Sequence, residues 1–166
     1  MKILEVEALL PKIDEKRKAL GLEKGNELCE EFDKKYIYES TSFDNGDFSY
    51  EDVCFLLEDH SRTFPDKSEH MRKAIINNYH AIQMVHKLVG NNTPLDETIV
   101  KDLHQVLTEG LIPGGVYRTR DLFILGAKHV PPTYLKIFQK MSQYFVEINN
   151  PDLKGLKKAA YVHLQI

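Results

Sequence analysis

The chain has 166 residues and a formal net charge of −3, with 42% hydrophobic and 28% charged residues. That length fits one domain with at most a small helical arm, and the composition is ordinary for a globular protein. The lack of a basic surplus argues against a nucleic-acid partner. Only two cysteines occur, Cys29 and Cys54, and they do not form a C-x-x-C pair. They read as reduced, partly buried thiols of a cytoplasmic protein. Met1 to Glu7 has acids inside its short apolar stretch, so it is not a signal peptide. No run approaches the roughly 18 apolar residues of a membrane span, so no membrane partner is expected.

In chain order, residues 9–20 read as a first helix, with Pro11 near its start and Gly21 at its end. Asn26 can cap a second helix running to about Phe43, with Asn45-Gly46 ending it in the left-handed region. Ser49-Tyr50-Glu51-Asp52 has the form of a capping box and opens a helix to about Glu58. Ser61 to Lys67 is a polar loop. A long helix over about 68–89 places Met71, Ile75, Tyr79, Ile82, Val85 and Val89 on one buried stripe. Thr93-Pro94 opens the next helix, Thr93 as cap and Pro94 in the first position, and Gly110 ends it.

Residues 111–131 break the helical period. Leu122-Phe123-Ile124-Leu125, a Gly126-Ala127-Lys128 turn and a return through Val130 predict a short β-hairpin. Pro131-Pro132 opens a helix whose core face is Leu135, Phe138, Met141, Phe145 and Ile148. Asn149-Asn150-Pro151 is a turn. A last helix carries Leu156, Ala159, Ala160, Val162 and Ile166 with no Gly, Asn, Pro or cation to stop it, so the protein is expected to continue beyond Ile166. The predicted fold class is all-α with one small hairpin. An N-terminal helical region over 1–60 precedes a core over 61–166.

The chemistry-bearing residues give no site by themselves. Seven histidines occur, none at metal-ligand spacing; His80 and His86 are six apart, and there is no H-E-x-x-H. Each reads as a surface or hydrogen-bonded structural histidine. Glu30-Glu31 and Glu58-Asp59 read as solvated helix faces. There is no G-x-x-x-x-G-K-[ST], and Pro113-Gly114-Gly115 is a turn and not a phosphate loop.

An ordered series of short motifs changes the reading. Asn78-Tyr79-His80-Ala81, Gly115-Val116-Tyr117-Arg118-Thr119, Gly126-Ala127-Lys128-His129-Val130-Pro131-Pro132 and Ala159-Ala160-Tyr161-Val162-His163 follow in an order and spacing that resembles a Fic (Fido) domain. In that family the last element leads into a signature of the form HPFxDGNGR, which would begin just past Ile166. The resemblance implies a protein adenylyltransferase, which moves AMP from ATP to a hydroxyl side chain of a target protein. The signature histidine takes the hydroxyl proton, a role suited to a group whose pKa lies near working pH. The signature Asp and Asn hold Mg²⁺ and phosphate, and its Gly-rich turn presents backbone N–H groups to the anion. None of those residues is in this sequence, so the chain as given is expected to be silent and to bind neither ATP nor Mg²⁺ itself. His163 precedes the signature and is not its catalytic histidine; a packing or helix-surface role is expected.

The resemblance assigns the surroundings of the site to this chain. Residues 122–132 resemble the family's flap, whose edge registers a target segment as an added strand. Leu125, Gly126, Ala127 and Lys128 match the part of the flap near the nucleotide. Tyr117 and Arg118 match the G-x-Y-R motif, and Arg118 is expected to tie the loop to a carbonyl or carboxylate. Ser40-Thr41-Ser42-Phe43-Asp44-Asn45 resembles the autoinhibitory motif [ST]-x-x-x-E-[GN], with Ser40 and Asn45 in place and Asp44 standing for Glu. In the family the acid pairs with an arginine of the signature and blocks the site of the γ-phosphate. Asp is shorter by roughly 1.5 Å, which weakens a pair whose bidentate geometry depends on placement.

The first reading is therefore the regulatory and flap-bearing part of a Fic adenylyltransferase, with a target protein docking on the flap and self-association open. A second is a catalytically silent helical interaction or regulatory protein derived from a Fic fold. A third is a family member transferring another phosphate-containing group.

Overall fold

Gly21, at φ +81°, breaks what would otherwise be one N-terminal helix into two. In the computed structural model, which describes residues 3–42, 47–126, 128 and 130–165, the helices are α1 (Ile3–Glu7), α2 (Leu10–Leu20), α3 (Leu22–Ser42), α4 (Tyr50–Glu58), α5 (Glu69–Gly90), α6 (Glu97–Thr108), α7 (Tyr134–Ile148) and α8 (Gly155–Gln165). No helix among the described residues is long and apolar enough to cross a membrane. The chain divides into two units, residues 16–116 and residues 1–15 with 117–166.

The larger unit is built on α5. Its Met71 and Ile75 are buried with Ile37 of α3, Val53 and Leu56 of α4, and Phe48. Tyr79 and Ile82 pack against that cluster, as the helical stripe requires. The stripe then leaves the core: Val85 and Val89 are exposed and line a small apolar groove with Leu95, Ile99 and Leu103 of the α6 segment. Buried Asn77 donates to the carbonyls of Leu107 (3.1 Å) and Glu109 (2.9 Å), fastening the end of α6 to α5. The α4 capping box is present as read, with Ser49 and Asp52 exchanging side chain-to-backbone hydrogen bonds.

Three helix starts differ from the sequence reading. The second helix begins at Leu22, so Asn26 lies inside α3. The cap of α6 is Asp96, whose Oδ1 accepts from the Ile99 amide at 2.9 Å, and not Thr93. A carboxylate near the helix N-terminus also complements the helix dipole, which a Thr hydroxyl does not. The helix expected to open at Pro131-Pro132 starts at Tyr134, and Thr133 before it makes no side-chain cap bond.

In the smaller unit, α8 packs on α7 and α1. The buried side of α7 runs through Tyr144 and Ile148, with Ile137, Met141 and Phe145 half-buried. Leu135 and Phe138, expected in the core, are exposed. Both face assignments have helical period, and only packing partners choose between them.

The expected β-hairpin is not present: no strand occurs among the described residues. A hairpin needs a ladder of backbone bonds across its arms, and an isolated two-stranded one is marginal in water. Here Leu122 to Leu125 stand out to solvent, and the loop is closed at its base by side chains.

Candidate functional site

Arg118 makes that closure. Its guanidinium donates to the carbonyl of Arg120 (2.6 Å) and to the carbonyl of Pro132. Its planar fork can hold two oxygens at once, which a lysine cannot. Asp121 completes the base: its Oδ1 accepts from the Tyr134 amide at 2.8 Å, supplying the α7 cap that Thr133 does not. The side chains of Arg118 and Asp121 are 3.9 Å apart, so the two clamps support each other. Asp121 was not singled out by sequence reasoning. Its partner is 13 residues away, while Thr133 occupies the position where residue type alone predicts a cap.

The loop above this base carries Leu125, wholly exposed at 102%, Gly126 at φ +79°, and exposed Lys128. A Cβ at Gly126 would meet nothing within 4 Å, so this glycine serves the left-handed turn and not a close approach. Ala127 lies outside the described residues. Tyr117 is half-buried where the loop begins. His163 is exposed in the last turn of α8.

Ser40 sits half-buried in the last turn of α3, in the larger unit. Its motif partners Asp44 and Asn45 lie outside the described residues. Just before the smaller unit begins, the Pro113-Gly114-Gly115 turn lies tight on α6. A Cβ at Gly114 would stand 2.7 Å from Gln105 Cα, so only glycine fits. The Gly115 amide donates to His104 Nδ1 at 3.1 Å.

A second feature, a cleft of about 580 Å³, lies in the larger unit, lined by α3, α4 and α5. His86 Nε2 and Asp33 Oδ2 meet there at 2.7 Å, and Lys34 pairs with Glu58 at 3.6 Å. Cys29 also lines the cleft, and its Sγ accepts from Arg17 at 3.8 Å. These pairs tie α3 to α4 and α5, so the cleft is a joint between helices. Sequence spacing could not reveal it, because His86 and Asp33 are 53 residues apart. No group of three or more His, Cys, Asp and Glu side chains among the described residues could hold a metal ion.

No protein-family model matches the sequence, and no curated protein does. Among solved structures, a Fic family protein from Desulfovibrio desulfuricans G20 superposes with a TM-score of 0.68 at 15% identity. The match covers 99% of this chain and 51% of that one. The fold is Fic-like. At that identity the likeness concerns the fold alone, and the chain spans about half the length of the protein it matches. Within the Fic-like fold, Arg118 and the loop it closes lie together in the smaller unit, and Ser40 belongs to the larger.

Proposed function

We propose that this chain is the regulatory and target-docking part of a Fic-type protein that transfers AMP from ATP to a hydroxyl side chain of a target protein. The observation that carries this reading is a Fic-like fold over 99% of the chain in which the G-x-Y-R arginine closes the loop at 118–132. The residues of an HPFxDGNGR signature do not occur among these 166. The base for the target hydroxyl and the anion-binding turn are thus not assigned to this chain. Neither is Mg²⁺, whose holding groups in this reading belong to that signature. What the chain's own residues do in this reading is position and restrain. Leu125, Gly126, Ala127 and Lys128 border the nucleotide side of the loop, and Ser40, Asp44 and Asn45 form an inhibitory segment. Asp44 holds the γ-phosphate site closed less firmly than a Glu would, for want of reach.

The test is the native protein from its source cells, weighed intact and incubated with ATP labelled at the α-phosphate. A mass above 19.2 kDa with label transferred to protein supports the reading. A native mass of 19.2 kDa with no label and no nucleotide bound rejects it. In the active protein, Asp44→Gly is expected to raise self-modification; an unchanged level removes the inhibitory role.

A further inference from the structure

Helix α3 carries apolar side chains on two opposite sides. Ile37, with no exposed surface, lies in the core. On that same side Asp33 meets His86 of α5, and Lys34 meets Glu58 of α4. The other side carries Leu28, Phe32 and Tyr36, exposed at 47%, 67% and 51%. Residues spaced by four on a helix lie one above the other, so these three form a single ridge. The Phe32 and Tyr36 rings are stacked, with centroids 6.3 Å apart. Contiguous exposed apolar surface marks an interaction site. A second ridge runs beside the first by the same spacing: Glu31, Lys35 and Glu39, exposed and alternating in sign. Within it Lys35 and Glu39 come only to 4.0 Å, and both side chains stay well exposed. Such a pair is worth little, so Lys35 can turn to an acid better placed.

We infer that this side of α3 docks on the same side of a second copy of the chain, with the two helices antiparallel. The sign pattern of the charged ridge chooses both the occupant and the direction. A two-fold axis level with residue 33 sets Lys35 of each copy opposite Glu31 of the other, giving two reciprocal ion pairs in a self-complementary contact. The same axis drops Tyr36 of each copy between Leu28 and Phe32 of the other, so the apolar ridges interlock. Parallel helices would instead set Glu31 against Glu31 and Lys35 against Lys35, which repel. About three turns of helix give a contact at the small end of specific interfaces, so the dimer is expected to form in the micromolar range. The pairing does not require AMP transfer.

The experiment is sedimentation equilibrium of the native protein across the micromolar range, where a reversible monomer–dimer equilibrium is expected. Phe32→Ser with Tyr36→Ser should weaken dimerisation at least about tenfold, as loss of central aromatic anchors does. Glu31→Lys alone and Lys35→Glu alone should each weaken it, because like charges then meet. Mixing these two single variants should restore dimers, since a copy with two lysines then faces a copy with two glutamates. Making both changes in one chain should restore them as well. All four positions are exposed, so helix content by circular dichroism and the unfolding temperature of the dilute monomer should hold. A protein that is monomeric at every concentration overturns the inference, and so does a dimer that the variants leave intact. Failure of the mixture to pair overturns the antiparallel contact. A monomer whose unfolding temperature falls with Phe32→Ser and Tyr36→Ser would place the cover of this face within one molecule, which overturns the inference too. Absence of AMP transfer would leave the dimer standing, and absence of the dimer would leave the AMP-transfer reading untouched.

Discussion

Single residues in this chain show how an identity takes its meaning from what surrounds it. Tyr144 lies on the apolar side of α7, buried, and its hydroxyl has no hydrogen-bond partner among the described residues. Burial pushes its phenol above the ordinary tyrosine value. A buried hydroxyl without a partner costs free energy, whereas the ring stabilises. Tyr144→Phe is therefore expected to leave stability unchanged or raise it by about 1 kcal/mol in urea unfolding. A loss of stability would mean that the hydroxyl has a partner. Asp52 is the opposite case, a polar group with every partner it needs. A hydrogen bond from Lys67, followed by those from the Ser49 hydroxyl and amide, lowers its pKa from 3.8 to about 2. Because the folded value is the lower one, the stabilisation is complete above the unfolded value and is lost as pH falls toward 2. Acidification from about pH 5 to about pH 2 should remove about 2 kcal/mol through this group, a component missing from Asp52→Asn. Unfolding free energies of both proteins across that range check it.

At the scale of elements, the chain uses carboxylates and one amide to fix helix ends. Asn77 reaches from the middle of α5 to the last carbonyls of α6. Asn77→Ala would strand those acceptors and should cost about 2–3 kcal/mol, with faster amide exchange at the end of α6 as its local signature. Helices were legible wherever apolar period and a local cap agreed, as at Ser49 and Ser68. The start of α7 was misread because its cap comes from elsewhere, Asp121 capping it across the loop. The hairpin failed for a related reason. An apolar run, a glycine turn and a return describe a strand pair only if the backbone groups pair. Here Arg118 and Asp121 take over the closure that a ladder would provide.

For the molecule as a whole, the two units differ in how they hold together. Residues 16–116 own a core in which Ile37, Val53, Leu56 and Ile75 have no exposed surface. Ile37→Ala should cost about 2–5 kcal/mol in that unit, as a large-to-small core change does. Leu125→Ala, at a fully exposed position, should cost under about 0.5 kcal/mol. Equal effects in thermal unfolding would contradict the assignment of core and surface. The sequence by itself determined the helical character, the long α5 and its first four core positions, because local period and capping are properties of neighbouring residues. The ordered Fic-like motifs, too, were readable along the chain. Only the tertiary structure decided that Val85, Leu135 and Phe138 are exposed, that His86 pairs with Asp33, and that Arg118 and Asp121 replace a β-ladder at the loop. Each of these depends on residues brought together from distant parts of the chain, and neither helical period nor residue type records which partner arrives.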